Sequence, residues 1–272
     1  MHQSLLWTRI KKHWQMYVLL MIPLIYIILF NYYPMTGLQL AFKKFDLHLG
    51  IWGSPWVGFY QMEKFLTSYQ FTRVLKNTLY LSFYSIFAGF PIPICFALLL
   101  NCVCNRHHKK IIQTITYMPH FISTVVIVGI LLQIFNPRIG LYGIMTALIT
   151  GEYPQDLIGS AQAFPHMYVW SGIWQEFGWN SIVYIAALSS VSEELHDAAQ
   201  IDGASRFQRM LHIDFPGILP VMTIMLILRT GSIMSIGFEK IYLMQNALNI
   251  SASEVISTYV YKVGFGATGY RQ

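Results

Sequence analysis

The chain has 272 residues, of which 55% are apolar and only 11% carry a formal charge, with a net charge of +6. Mean hydropathy is +0.47, whereas soluble domains hold about one quarter charged residues. These values exclude an ordinary soluble globular domain and a disordered chain, and indicate an integral membrane protein.

A bilayer core needs about 20 helical residues, and the apolar windows supply about five. The first covers residues 16–33 and follows a basic start at Arg9, Lys11 and Lys12. It has neither the short apolar core nor the small-residue cleavage site of a secretory signal, so it reads as a retained anchor. Residues 1–15 are then a cytoplasmic basic tail. The stretch from Pro34 to Asn77 is rich in aromatics (Phe42, Phe45, Trp52, Trp56, Phe59, Tyr60) and basic residues. It is read as folding along the external interface, where charge bias decides less.

The second window covers residues 78–100, with Pro91 and Pro93 inside it, and the third covers 112–135, with Pro119 near its start. Prolines of this kind kink or start helices and are tolerated where neighbouring helices satisfy the freed backbone. Between these windows lie Cys102, Cys104, Arg106, His107, His108, Lys109 and Lys110. The thiol and imidazole spacing matches no common zinc pattern, so the segment reads as a basic cytoplasmic loop with no metal site.

The fourth window covers residues 167–188 and contains Trp174, Glu176 and Asn180; the fifth covers 218–236 and contains Arg229. Ionisable groups at membrane depth are costly and often functional, so Trp174, Glu176, Asn180 and Arg229 are the candidates for a translocation path. A structural pair between Glu176 and Arg229 is the plainer alternative. His120 and His166 fall at opposite ends of their windows, which argues against an intramembrane acid–base site. No phosphate-binding loop, His-Glu-x-x-His site or Gly-x-Ser-x-Gly elbow is present, so no catalytic residue is assigned and the chain is read as a non-enzyme.

Between the fourth and fifth windows, residues 190–216 read as helix, glycine turn, helix. Ser190 with Glu193 forms the expected capping box, and Glu193, Glu194 and Asp197 favour the positive helix start. Leu195, Ala198 and Ala199 share one face, and Phe207, Met210 and Leu211 share another. Gly203, within Asp202-Gly203-Ala204, permits the sharp turn. Lys and Arg in the tail, in the 106–110 loop and at Arg206 and Arg209 place all three segments on the cytoplasmic side.

Asp197-Ala198-Ala199, Asp202-Gly203-Ala204 and Ile213, Phe215, Pro216 resemble the EAA loop of permease subunits of binding-protein-dependent ABC importers. Tyr33-Pro34-Met35, Met118-Pro119-His120-Phe121, Gly178-Trp179-Asn180 and Gly237-Phe238-Glu239 are similar to segments of the carbohydrate-type subgroup. The resemblance implies an all-α polytopic bundle of the type I ABC importer permease kind. It gives Glu194, Asp197, Ala198, Ala199, Asp202, Gly203, Ala204, Phe207, Met210 and Pro216 to the docking of an ATPase.

It further implies one half of a pathway for a sugar or oligosaccharide in a bacterial plasma membrane, with lipid around it. The implied partners are a cytoplasmic ATPase dimer, a second related permease and an extracellular solute-binding protein. Nucleic acid is not among them. The chain itself holds no cofactor, since ATP and Mg belong to the ATPase.

Two departures from the family pattern stand out: Asp197 replaces the usual Glu, and the family core carries one further span. Residues 237–272, rich in charge, are read as an external segment truncated before that span. A non-functional truncated remnant, or a membrane scaffold or passive channel without ATP coupling, remains the alternative.

Overall fold

A computed structural model describes residues 11–46 and 48–265. Among the described residues there is no β-strand beyond an isolated bridge from Lys43 to Trp56. The chain divides into two compact units, Met1–Phe71 and Thr72–Gln272.

In the first unit, α1 (Trp14–Phe42) is a continuous 29-residue helix, longer than the expected 16–33. It carries Pro23, a π turn at Ile28–Tyr32 and a 3-10 end at Thr36–Phe42. Its apolar side chains are exposed on every face, as with Leu19 at 70% and Ile22 at 69%. A helix that is hydrophobic all round belongs in lipid or against partner helices.

Beyond α1 the chain folds into two short helices, α2 (Gly50–Gly53) and α3 (Tyr60–Leu66). Buried Lys43 organises this turn. Its Nζ donates to the carbonyls of Ile51 at 2.9 Å and Trp52 at 3.3 Å and sits 4.9 Å from the Trp56 ring centre. Trp52, Trp56, Phe59 and Tyr60 remain exposed, the arrangement of an interfacial aromatic belt.

The second unit holds most of α4 (Tyr69–Gly89) and all of α5 (Pro91–Asn101), which together form a 33-residue apolar path. Next come α6 (Arg106–Tyr117), a 3-10 turn at Met118–Phe121, and α7 (Thr124–Ile134). The third window, 112–135, in which Pro119 was expected to kink or start a helix, is broken beside that proline: the two halves are bent by 97°. Pro119 lacks an N–H, and Ser123 caps the new helix by accepting from the Val126 N–H at 3.4 Å; both favour a break. A short apolar helix, α8 (Leu141–Thr150), follows.

The central element is α9 (Phe164–Leu188), 25 residues long, which packs against α5, α6 and α12 (Phe215–Gly231). It has two apolar ends and a polar middle. Phe164 joins Leu81, Val128, Ile241, Met244 and Val255 in one core. Tyr184 and Leu188 join Ile94, Ala97, Leu98 and Ile218 in a second. Gly178 allows the closest approach, because an added Cβ would lie 2.1 Å from the Thr116 carbonyl oxygen.

After α9 come α10 (Glu193–Ile201) and α11 (Arg206–Arg209). A π turn at Met210–Asp214 joins α11 to α12, making one apolar helix from Arg206 to Gly231. The segment after it is no peripheral tail. In α13 (Phe238–Met244), Ile241 and Met244 are buried, and Asn249, just before α14 (Ile250–Ser253), is wholly buried. The last described element is α15 (Ile256–Phe265); residues 266–272 of the expected external segment lie outside the described residues.

A membrane-depth cavity and a projecting helix pair

The polar middle of α9 faces a cavity of two contiguous lobes, of about 290 and 440 Å³. Glu176 and Arg229 line both lobes, and Asn180 lines the first. Three of the four path candidates are thereby brought together from α9 and α12. The fourth is corrected: Trp174 is 51% exposed and does not line the cavity, because a residue two positions before Glu176 points to another side of the helix.

The plainer alternative, a structural Glu176–Arg229 pair, is absent from the ion pairs of the described residues. Glu176 is held instead by His120 of the bend, with Nδ1 3.0 Å from the carboxylate. The His120 ring is stacked on Trp179 at 4.3 Å with an interplanar angle of 4°. A second imidazole stands apart: His166 is hydrogen-bonded to the Tyr84 hydroxyl at 2.7 Å, which accepts from Trp170 at 3.0 Å.

Two cavity residues escaped the sequence reading. Lys240 is buried, donates to the Tyr168 carbonyl at 3.2 Å and lies 5.3 Å from that ring's centre. Gln175 donates to the Ile122 carbonyl at 3.1 Å, tying α9 to the bend. The buried lysine sits in the segment read as external on charge, so its signal was present and was assigned to solvent.

The helix pair α10–α11 has the expected turn. Gly203 has φ +78°, a left-handed conformation in which glycine carries no steric penalty. The Ala204 N–H donates back to Ala199 O at 2.9 Å and Gly203 N–H to Gln200 O at 3.1 Å, closing the helix end. The expected cap is corrected. Ser190 donates to Ala187 O at 2.7 Å, while Ser192 accepts from the Glu194 N–H. The capping box is at Ser205 and Gln208, opening α11.

Glu194, Asp197, Ala198, Asp202, Gly203 and Phe207 are exposed, and Ala199 and Ala204 half-buried. Leu195 at 55%, Ile201 at 87% and Phe207 at 66% exposure give the pair an apolar crest. Ile201 was not singled out from sequence. Met210 is corrected, since it packs towards the core of Ile94 and Leu98 and lies with its sulfur 3.9 Å from Cys102 Sγ. The π turn rotates it off the Phe207 face. Pro216 lies in the first turn of α12, where its missing N–H costs least, and the π turn makes that helix continuous with α11.

This crest is anchored. Asp214 is 3% exposed; its Oδ1 lies 3.1 Å from His196 Nε2 of α10 and accepts from Asn101 Nδ2 at 3.4 Å. The carboxylate therefore joins the projecting helix to the ends of α5 and α12. Burial first, and then the Asp214 charge, raise the pKa of the neighbouring Cys102 thiol. Among the described residues no group of three His, Cys, Asp or Glu is arranged to hold a metal ion.

Comparison with known proteins agrees with this geometry. Residues 75–268 match the family described as binding-protein-dependent transport system inner membrane component. Protein LplB of Bacillus subtilis (strain 168) is 40% identical over 261 residues, covering 96% of this chain and 82% of that one. The polygalacturonan/rhamnogalacturonan transport system permease protein YteP of the same organism is 40% identical over 257 residues, covering 94% and 80%. A bacterial ABC transporter involved in import of the acidic polysaccharide alginate superimposes with TM-score 0.89 at 38% identity, covering 98% of this chain and 88% of that one. The same kind of transporter, in complex with an alginate pentasaccharide-bound periplasmic protein, gives 0.86 at 38% identity, covering 95% and 86%. A polytopic helical bundle with a polar-lined cavity and an anchored projecting loop, this chain is a transport subunit and belongs to the binding-protein-dependent transport system inner membrane components.

Proposed function

We propose that this chain is a permease subunit of an ATP-driven importer and forms half of a translocation pathway for a sugar or oligosaccharide. The observation that carries the reading is the apolar crest of Leu195, Ile201 and Phe207 on α10–α11, tied to the spans by Asp214. Exposed apolar side chains on a rigid projection mark a protein interface. The occupant is a cytoplasmic ATPase subunit, one of a dimer that binds ATP and Mg. A second related permease completes the pathway, and an extracellular binding protein delivers the sugar.

Glu194, Asp197 and Asp202 rim the docking surface, Ala198 and Ala199 admit close approach, and Gly203 sets the turn. Glu176, Asn180 and Arg229 lie along the path. Basic residues Lys11, Lys12, Arg106, Lys109, Arg206 and Arg209 put the N-terminus and this loop on the cytoplasmic side of a bacterial plasma membrane. The sugar class is supported by the relatives, which include transporters of galacturonans and alginate.

The test is co-purification of the tagged chain with its ATPase and second permease, in the parent and in Ile201→Asp and Phe207→Asp. The expected result is recovery of both partners by the parent and loss of the ATPase alone in the variants. An ATPase retained at parental stoichiometry by both variants overturns the docking assignment.

A further inference from the structure

Arg229 brings a permanent positive charge to this cavity, yet among the described residues its guanidinium makes no ion pair, and no hydrogen bond of its side chain is present. Glu176 shares the cavity but is occupied by His120. Lys240 adds a second cation, and its Nζ bonds only to a carbonyl. The cavity thus holds two cationic side chains, Arg229 and Lys240, against the single carboxylate of Glu176, an excess of one positive charge. An unpaired charge in a half-buried cavity is costly and marks a place where a counter-charge arrives from outside.

Small residues keep both cationic heads accessible. A Cβ added to Gly89 would lie 3.6 Å from Arg229 Nη1, and one added to Gly172 would lie 3.3 Å from Lys240 Nζ. Ser82, Ser85, Ser232 and Ser235 contribute hydroxyls to the lining of the second lobe. Hydroxyls suit a sugar, and a planar guanidinium suits a carboxylate, which it grips by two parallel hydrogen bonds.

We propose that this cavity selects acidic oligosaccharides, chains containing uronic acid, by pairing the sugar carboxylate with Arg229 and, more weakly, Lys240. The proposal rests on the reading of the chain as a sugar permease subunit and narrows it. His120 is a positioning residue, keeping the Glu176 carboxylate from competing for Arg229. Two of the similar proteins are named for galacturonans and for the acidic polysaccharide alginate, polymers that carry carboxylates of this kind.

The test is equilibrium binding to the assembled importer, with its ATPase and second permease but no binding protein, using tetragalacturonate and a neutral galactose tetrasaccharide of equal length. The expected result is about tenfold tighter binding of the acidic chain, weakening as salt is raised. Arg229→Gln erases the preference, Arg229→Lys keeps part of it, and Glu176→Gln strengthens it. Equal binding of the two chains by the parent overturns charge selection while leaving the sugar reading intact. Binding of neither chain overturns the sugar reading itself. An Arg229→Gln variant that weakens both chains equally, with unchanged assembly, assigns Arg229 to packing and overturns the proposal.

Discussion

Replacing Asp214 by Ala tests whether the projecting helix pair is rigidly joined to the spans. Two hydrogen bonds are removed, from His196 at 3.1 Å and from Asn101 at 3.4 Å. Bonds to a charged group contribute roughly 1.5–3 kcal/mol each. His196 is 27% exposed and the Asn101 bond is long, so the pair together is discounted to about 2 kcal/mol. That corresponds to about a thirtyfold rise in the population with α10 detached, since 1.4 kcal/mol is tenfold.

The expected outcome is about thirtyfold faster amide exchange in Glu193–Ile201, with parental exchange in α9. Sugar uptake per ATP hydrolysed falls, although the ATPase still co-purifies. His196→Ala is at least as damaging, because it leaves a carboxylate that is 3% exposed with only the 3.4 Å bond. Parental exchange in α10 together with parental uptake per ATP in Asp214→Ala would refute the clamp.

Gly178→Ala forces a Cβ to within 2.1 Å of the Thr116 carbonyl oxygen; the expected overpacking cost is about 1–3 kcal/mol or more, seen as a lower detergent Tm and reduced yield. Asn249→Ala strips the bonds to the Ile158 and Met244 carbonyls at 2.9 and 3.0 Å and to Ser253 Oγ at 2.8 Å. Its loss of stability is expected at about 3 kcal/mol, and Asn105→Ala, which removes only the exposed N-cap of α6, should cost about 1 kcal/mol in the same thermal assay. Burial and then the Asp214 charge raise the Cys102 pKa, so the reactive thiolate is scarcer at neutral pH than in a free cysteine, and alkylation is slower there and keeps rising with pH after a free thiol has levelled off. Asp214→Asn removes one cause of the shift and should speed Cys102 labelling at pH 8, read by mass spectrometry of the labelled peptide.

What could be read from the chain itself followed from composition and local chemistry. Long apolar windows specify membrane helices because unsatisfied backbone groups are excluded from lipid, and Gly203 announces its own turn because only glycine adopts φ +78° without penalty. Exposed Glu194, Asp197 and Phe207 were legible for the same reason: a polar helix pair between two apolar windows must leave the bilayer. Glu176 and Arg229 stood out as charges out of place, a signal that marks residues but not their partners.

Partners were decided by tertiary structure. His120 rather than Arg229 meets Glu176 because the helix breaks by 97° beside it, and a bend cannot be oriented from a proline alone. The π turn at Met210–Asp214 inserts an extra residue into the helical period, which turns Met210 inward, buries Asp214 and defeats any face drawn at 3.6 residues per turn. Lys240 looked solvated from its charged neighbours, and only the packing of Ile241 and Met244 into the core drew it to the cavity. Periodicity reports which residues share a surface of one helix, whereas long-range packing chooses which surfaces meet.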